Sequence, residues 1–259
     1  MEKNVQSMMA KDHFDTLGFS ADTTKKPFER IRYSRDNTLK VTFEAPITCG
    51  VKEMKCSFTL VWYCIGDNKA NLTKITDRRY KVNVSLRDMA KFITGRSTIN
   101  ERKGIFDSLC RIANMSMRVE KIPMSVEVDQ NIKSIRTQWL YDIRSMDSYE
   151  TAEVEVNQSF INIIEQSGIG YSLSQLIKFN GRAALLYAAL QGYKFKRGRR
   201  YEYYHHIPHE RLIECLDLEE VKEPLNQVKK IKAAFKDVGL NYNYNKRASR
   251  WEKGLNKKA

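Results

Sequence analysis

One order of elements occurs twice along this chain, and it constrains the fold more than any other feature. Around residues 85–156 the sequence reads as a short helix, a tight turn, a longer basic helix and then strand-like residues, and a looser copy occupies 205–246. In the first copy Ser85 is suited to cap SLRDMAKFI, with Asp88 placed for a near capping box. Leu86, Met89, Ala90 and Ile93 form an apolar stripe on that helix, and Thr94-Gly95 breaks it. Ser97 or Thr98 caps the next helix, which runs to about Asn114. On a helical wheel Ile99, Phe106, Leu109, Cys110 and Ala113 share the inner side. Ser97, Asn100, Glu101, Gly104, Ser108 and Arg111 lie opposite, a small and polar face suited to a major groove, where Asn and Arg reach base edges.

Strand signals follow. Met117 to Ile122 reads as a strand ended by Pro123. Thr137, Trp139, Tyr141 and Ile143 alternate with polar neighbours, MDSYE turns, and Ala152, Val154 and Val156 alternate on the way back. Two helices and a hairpin in this order are the pattern of a winged helix. Upstream, residues 1–30 read as a flexible arm and Leu39–Ile47 and Lys55–Ile65 as β-leaning segments, the second short enough that a buried helix is its alternative, and Tyr80, Val82 and Val84 read as a short strand.

Residues 157–180 read as a connection containing a short helix and a second amphipathic piece. GRAALLYAALQGY is a helix ended by Gly192, and KFKRGRRYEYYHH a basic loop. Pro208 opens HERLIECL, and Pro224 opens a longer helix reaching Val238, each placed where a missing N–H does no harm. Leu225, Val228, Ile231, Phe235 and Val238 are its expected inner face. Asn226, Lys229, Lys230 and Ala233 line the outer side, and Lys222 stands just ahead. Gly239 stops the helix, and a short strand and basic tail finish the chain. The expected fold class is α+β, two tandem winged-helix domains at 31–165 and 166–259 behind the arm.

Charge points to a polyanionic partner. The chain carries 45 Lys and Arg against 31 Asp and Glu, a net +14, and residues 191–259 hold 17 against 9, or +8 of it. No apolar run is long enough to span a membrane and no signal-like start is present, so a cytoplasmic protein is expected. Five widely spaced cysteines without C-x-x-C read as buried thiols rather than disulfides. Catalysis finds little support. No G-x-x-x-x-G-K-[ST] loop occurs. His205, His206 and His209, with Cys215 or Glu210, have poor metal spacing, and His206-Ile207-Pro208-His209 lacks the single-residue gap of a relaxase His pair. No enzyme, cofactor or metal is therefore expected.

The arrangement resembles the iteron-binding replication initiators of theta-replicating plasmids. SLRDMAKFITGRSTINERKGIFDSLCRIANMSMRVE, TQWLYDIRSMDSYETAEVEV, SFINIIEQSGIGYSLSQLIKFNGRAALLYAALQGY and HIPHERLIECLDLEEVKEPLNQVKKIKAAFKDVG carry the likeness, over roughly residues 80–245. It implies two winged-helix domains clamped on direct repeats of double-stranded DNA, origin opening, and recruitment of host replication proteins. Monomers would bind the repeats, and a homodimer would repress the initiator's own gene. The family pattern also implies helix within 38–66, where the residues read as strand. The DNA-contacting candidates are Ser97, Asn100, Arg102, Lys103, Gly104, Ser108 and Arg111 in the first helical pair, with Lys133 and Arg136 near the first hairpin. Lys196, Arg197, Arg199, Arg200, Lys222, Asn226, Lys229, Lys230, Lys246 and Arg247 are those of the second domain. A two-domain transcriptional regulator with the same fold is the alternative.

Overall fold

The computed structural model describes residues 6–9, 18–21, 26–33, 39–64, 72–121, 134–158, 169–197 and 200–254. In chain order these begin with strands β1 (Gln6–Met9), β2 (Phe28–Tyr33) and β3 (Leu39–Ala45) and helix α1 (Val51–Tyr63). Strands β4 (Leu72–Thr76) and β5 (Arg79–Ser85) lead into helices α2 (Leu86–Thr94) and α3 (Ile99–Ala113). Strands β6 (Ser116–Lys121), β7 (Ser134–Gln138), β8 (Leu140–Met146) and β9 (Thr151–Asn157) follow. The second half contains β10 (Ile169–Ser172), α4 (Leu173–Lys178), α5 (Gly181–Gly192), β11 (Lys194–Arg197), β12 (Arg200–Tyr203) and β13 (His206–Pro208). It ends with α6 (His209–Cys215), α7 (Pro224–Asp237), β14 (Tyr242–Asn245) and β15 (Arg250–Lys253).

Local chemistry sets the helical pairs where the residues placed them. The Asp88 N–H donates to Ser85 Oγ at 3.0 Å at the start of α2, and Gly95 ends it at φ 79°, a left-handed conformation that favours glycine. Thr98 caps α3 and Pro224 stands in the first turn of α7. The two halves repeat one order. In the first, β5 leads into α2 and α3, and the hairpin β8–β9 comes after β6 and β7, with β4, β5, β9 and β8 side by side in one sheet. In the second, β13 leads into α6 and α7, and the hairpin β14–β15 follows, with β13, β15 and β14 side by side in one sheet. Each time, the strand before the helical pair lies beside the last strand of the hairpin.

Several expectations change. The β-leaning part of 55–65 that is described is not a strand: residues 51–63 are helix α1, buried almost all round. SFTLVWYCI has strand-like composition, but α1 contacts the four helices α2, α3, α4 and α5 as well as strands β1 and β5. A helix enclosed by other helices needs no polar face, so burial overrides propensity. The alternating run 137–143 is divided at fully buried Trp139, with β7 in the sheet β2-β3-β6-β7 and β8 in the other sheet. The basic loop contains the antiparallel hairpin β11–β12, and the C-terminal tail supplies both β14 and β15. Within the supposed arm, β1 pairs with β10, and Phe19, Ser20 and Ala21 are buried. The helix expected at 157–166 and the boundary at residue 165 fall largely or wholly outside the described residues.

Side chains also join the halves. Arg30 pairs with Asp217, which accepts as well from Ser20 Oγ and, at 3.2 Å, from the Ala21 N–H. Arg32 pairs with Glu219 at 2.6 Å and donates to the Glu214 carbonyl at 2.7 Å. Lys55 of α1 donates to the Ile177 carbonyl at 2.9 Å and to Asn180 Oδ1 at 3.0 Å, at the start of α5. Burial alone would raise the Asp217 pKa, but Ser20 and Arg30 hold it below the usual carboxylate range.

Candidate nucleic-acid interface

The second helix of each pair is held by its buried side. Ile105, Ser108, Leu109 and Ile112 are buried on α3, and Ile231, Ala234 and Phe235 on α7. Each large apolar side chain so buried contributes about 1.5–3 kcal/mol toward fixing the helix. What remains outward on α7 is strongly basic. Lys229, Lys230, Lys232 and Lys236 are exposed, Lys222 is exposed just ahead, and Asp237 is the only carboxylate on the helix. Asn226 is half-buried and donates to Glu223 Oε2 at 2.6 Å. Beside α7 a cleft of about 450 Å³ runs between Lys229, Lys232 and Lys236 on one side and Asn241 and Asn243 on the other.

The hairpin turn 246–249 is exposed and carries Lys246 and Arg247, with Ala248 N–H donating to Asn245 Oδ1 at 3.2 Å. Behind it Trp251 is fully buried, and its Nε1–H donates to Nδ1 of buried His209 at 3.1 Å. Burial lowers the His209 pKa, so the ring is neutral and acts as an acceptor. That role removes His209 from the histidine cluster considered above. No group of three or more metal-ligating side chains occurs among the described residues.

The face of α3 differs from the expected one. Ser108, at 0% exposure, donates to Glu53 Oε1 of α1 at 2.9 Å, and Arg111 donates to the same oxygen at 2.6 Å. Burial would raise the Glu53 pKa, but hydrogen bonds from Arg111, the Gly50 N–H and Ser108 hold it low, so the carboxylate stays charged. Gly104 faces Lys52, whose Nζ lies 2.7 Å from where a Cβ would stand. Gly104, Ser108 and Arg111 are thus spent on α1 rather than presented outward. The outward face is turned about a quarter-turn from the expected one. It carries Asn100, Lys103 and Asp107, together with Ile99 at 52% exposure. Leu225 was likewise expected inside and is 75% exposed. Both stand in the first turn, roughly 130° around the wheel from the centre of the buried face.

Other candidates scatter. Ser97 is half-exposed, and Arg102 is pinned to Glu150 in the first hairpin turn. That turn also carries Asp147, while Glu153 and Glu155 pair with Lys81 and Arg79 on the sheet face. The first hairpin therefore offers phosphate little attraction. Arg197 is exposed near Glu202, and Lys194 is half-buried over the Tyr203 ring at 5.3 Å, where burial lowers its pKa. Arg136, Lys196 and Arg200 lie on β7, β11 and β12, and Lys133 and Arg199 fall outside the described residues. Arg87, Lys91 and Arg96 add exposed positive charge beside α3 that the wheel of that helix alone did not bring out.

The fold is similar to that of domains 2 and 3 of RctB. Two crystal structures of that domain pair, one from a selenomethionine derivative, match with TM-scores of 0.58 and 0.54 at 13% and 12% sequence identity. The match covers 88% of this chain each time, and 85% and 83% of the RctB chains. No protein-family model and no curated protein matches the sequence. At such identity the likeness is one of mixed α/β architecture, not of individual site residues. Among the described residues no helix is long and apolar enough to cross a membrane.

Proposed function

We propose that this chain is a plasmid replication initiator that binds direct repeats of duplex DNA through two winged-helix units. The observation that carries the reading is a helical pair that occurs twice, each time with the strand before it paired to the last strand of a later hairpin and each time with an outward face on the second helix. The fold shared with RctB domains 2 and 3 supports a two-unit architecture, and the sequence resemblance supports the initiator role. The second unit supplies most of the electrostatic capture, because α7 and the turn after β14 expose Lys229, Lys230, Lys232, Lys236, Lys246 and Arg247, with only Asp237 and the N-cap Glu223 as exposed carboxylates beside them. The first contributes through Asn100 and Lys103, with Arg87, Lys91 and Arg96 alongside. Phosphate contacts position both units and base contacts select the repeat. The protein acts without catalysis: binding bends the DNA, opens an adjacent A·T-rich segment and recruits host replication proteins. It works in the cytoplasm, and a homodimer serves to repress its own gene.

The test is a band-shift titration on DNA flanking the gene, with competitor, at two salt concentrations. Stepwise complexes on tandem repeats, with single-strand-selective permanganate reactivity appearing beside them, are the expected result. Specific binding to a lone palindrome without opening would favour the regulator, and only weak binding erased by salt would remove the reading.

A further inference from the structure

The outward faces of α3 and α7 carry the same short pattern. Ile99-Asn100-Glu101-Arg102-Lys103 and Leu225-Asn226-Gln227-Val228-Lys229 each run apolar, Asn, Glu or Gln, variable, Lys. In each, a fully buried isoleucine follows six residues after the apolar one, Ile105 and Ile231. The two patterns therefore sit in the same rotational register against their cores. Glu101 and Gln227 are both half-buried, and Gln227 donates inward to the Val221 carbonyl at 2.8 Å. The apolar residue and Lys are exposed on both helices. Leu225 and Ile99 are two of five large hydrophobics exposed among the described residues, and each stands in the opening turn of its helix. Folding alone gains nothing from an apolar side chain in water at that place.

Resting on the winged-helix reading above, we infer that Leu225 and Ile99 contact thymine C5-methyl groups in the major groove. Each lies beside an asparagine, Asn226 or Asn100, that reads the neighbouring adenine. The thymine methyl is the one apolar group on the floor of that groove, and Asn pairs with adenine N6 and N7. Lys229 and Lys103, one turn along the same faces, hold the helices in the groove. The consequence is a binding site containing two similar short words with A·T pairs, one read by each helix.

The experiment starts from a randomised duplex pool, from which the full chain selects its preferred site. That site is then synthesised with deoxyuridine replacing thymidine one position at a time, which deletes a methyl and leaves every hydrogen bond. The wild-type protein should lose roughly three- to five-fold in affinity at one position under each helix, the size of one methyl contact. Leu225→Ala should bind the thymidine duplex with the same loss and become indifferent to deoxyuridine under α7 alone, and Ile99→Ala under α3 alone. Both side chains are exposed, so both variants should melt as the wild type does. Specific binding with no deoxyuridine-sensitive position, or sensitivity unchanged in the variants, would overturn this inference and leave the initiator reading standing. Selection of no sequence at all would overturn both.

Discussion

Glu53 is a carboxylate with no exposed surface, and three neighbours hold it charged. Arg111, which by spacing looked like a base-reading arginine, is one of them, and Ser108 is another. Arg111→Ala should therefore act on stability: leaving Glu53 charged and short of its main partner costs about 2–4 kcal/mol, discounted for the partly exposed guanidinium. Denaturant titration with a shifted midpoint and unchanged slope is the check. Asn226→Ala and Lys230→Ala should behave in the opposite way, losing specific DNA binding with normal melting. Lys232→Ala and Lys236→Ala each remove a charge from the cleft beside α7, and each should lower the slope of log affinity against log salt by about 1. The spacing of small and polar residues on α3 was legible in the sequence, but the surface they meet was not. A polar face turned toward water and one turned toward a buried glutamate have the same periodicity.

Among elements, the helices with local start and stop signals were the readable ones. Ser85 and Gly95, Thr98, Gly192, Pro224 and Gly239 act within one turn of their own positions, so α2, α3, α5 and α7 fall close to where those residues place them. α1 could be read either way, and leaned to strand, because strand-forming residues and an all-round buried helix look alike over a short apolar run. The pair α6 and β15 carries a pH dependence through His209. Its folded pKa lies below the ordinary 6.5, so the neutral ring adds stability that is present above that value and lost as pH falls below it. Melting temperature should therefore decline from pH 7 toward 5.5, and His209→Gln should flatten that decline. Glu53 and Asp217, also lowered, add a further loss only at more acidic pH, beneath the ordinary carboxylate values of 4.5 and 3.8.

At the scale of the whole molecule, the seam between the halves ties the two helical pairs to one another. Arg32 is almost fully buried between Glu219 and the Glu214 carbonyl, and Arg30 and Lys55 add two further ties. The wild type should consequently reject a binding site whose two words are separated by an added half-turn of DNA. An Arg30→Ala/Arg32→Ala double variant should tolerate that insertion better while binding the native spacing more weakly, as read by band shift on both duplexes. The sequence by itself determined helices α2, α3, α5 and α7, the first hairpin and the basic second half, because caps, prolines, glycines, alternation and charge counts act locally or by simple sum. Only the tertiary structure decided that α1 is a helix, that α3 turns Ile99 and Asn100 outward, and that the halves lock through Arg30 and Arg32. The physical reason is that burial depends on the opposing surface, and those surfaces are brought together by chain closure across as many as 197 residues.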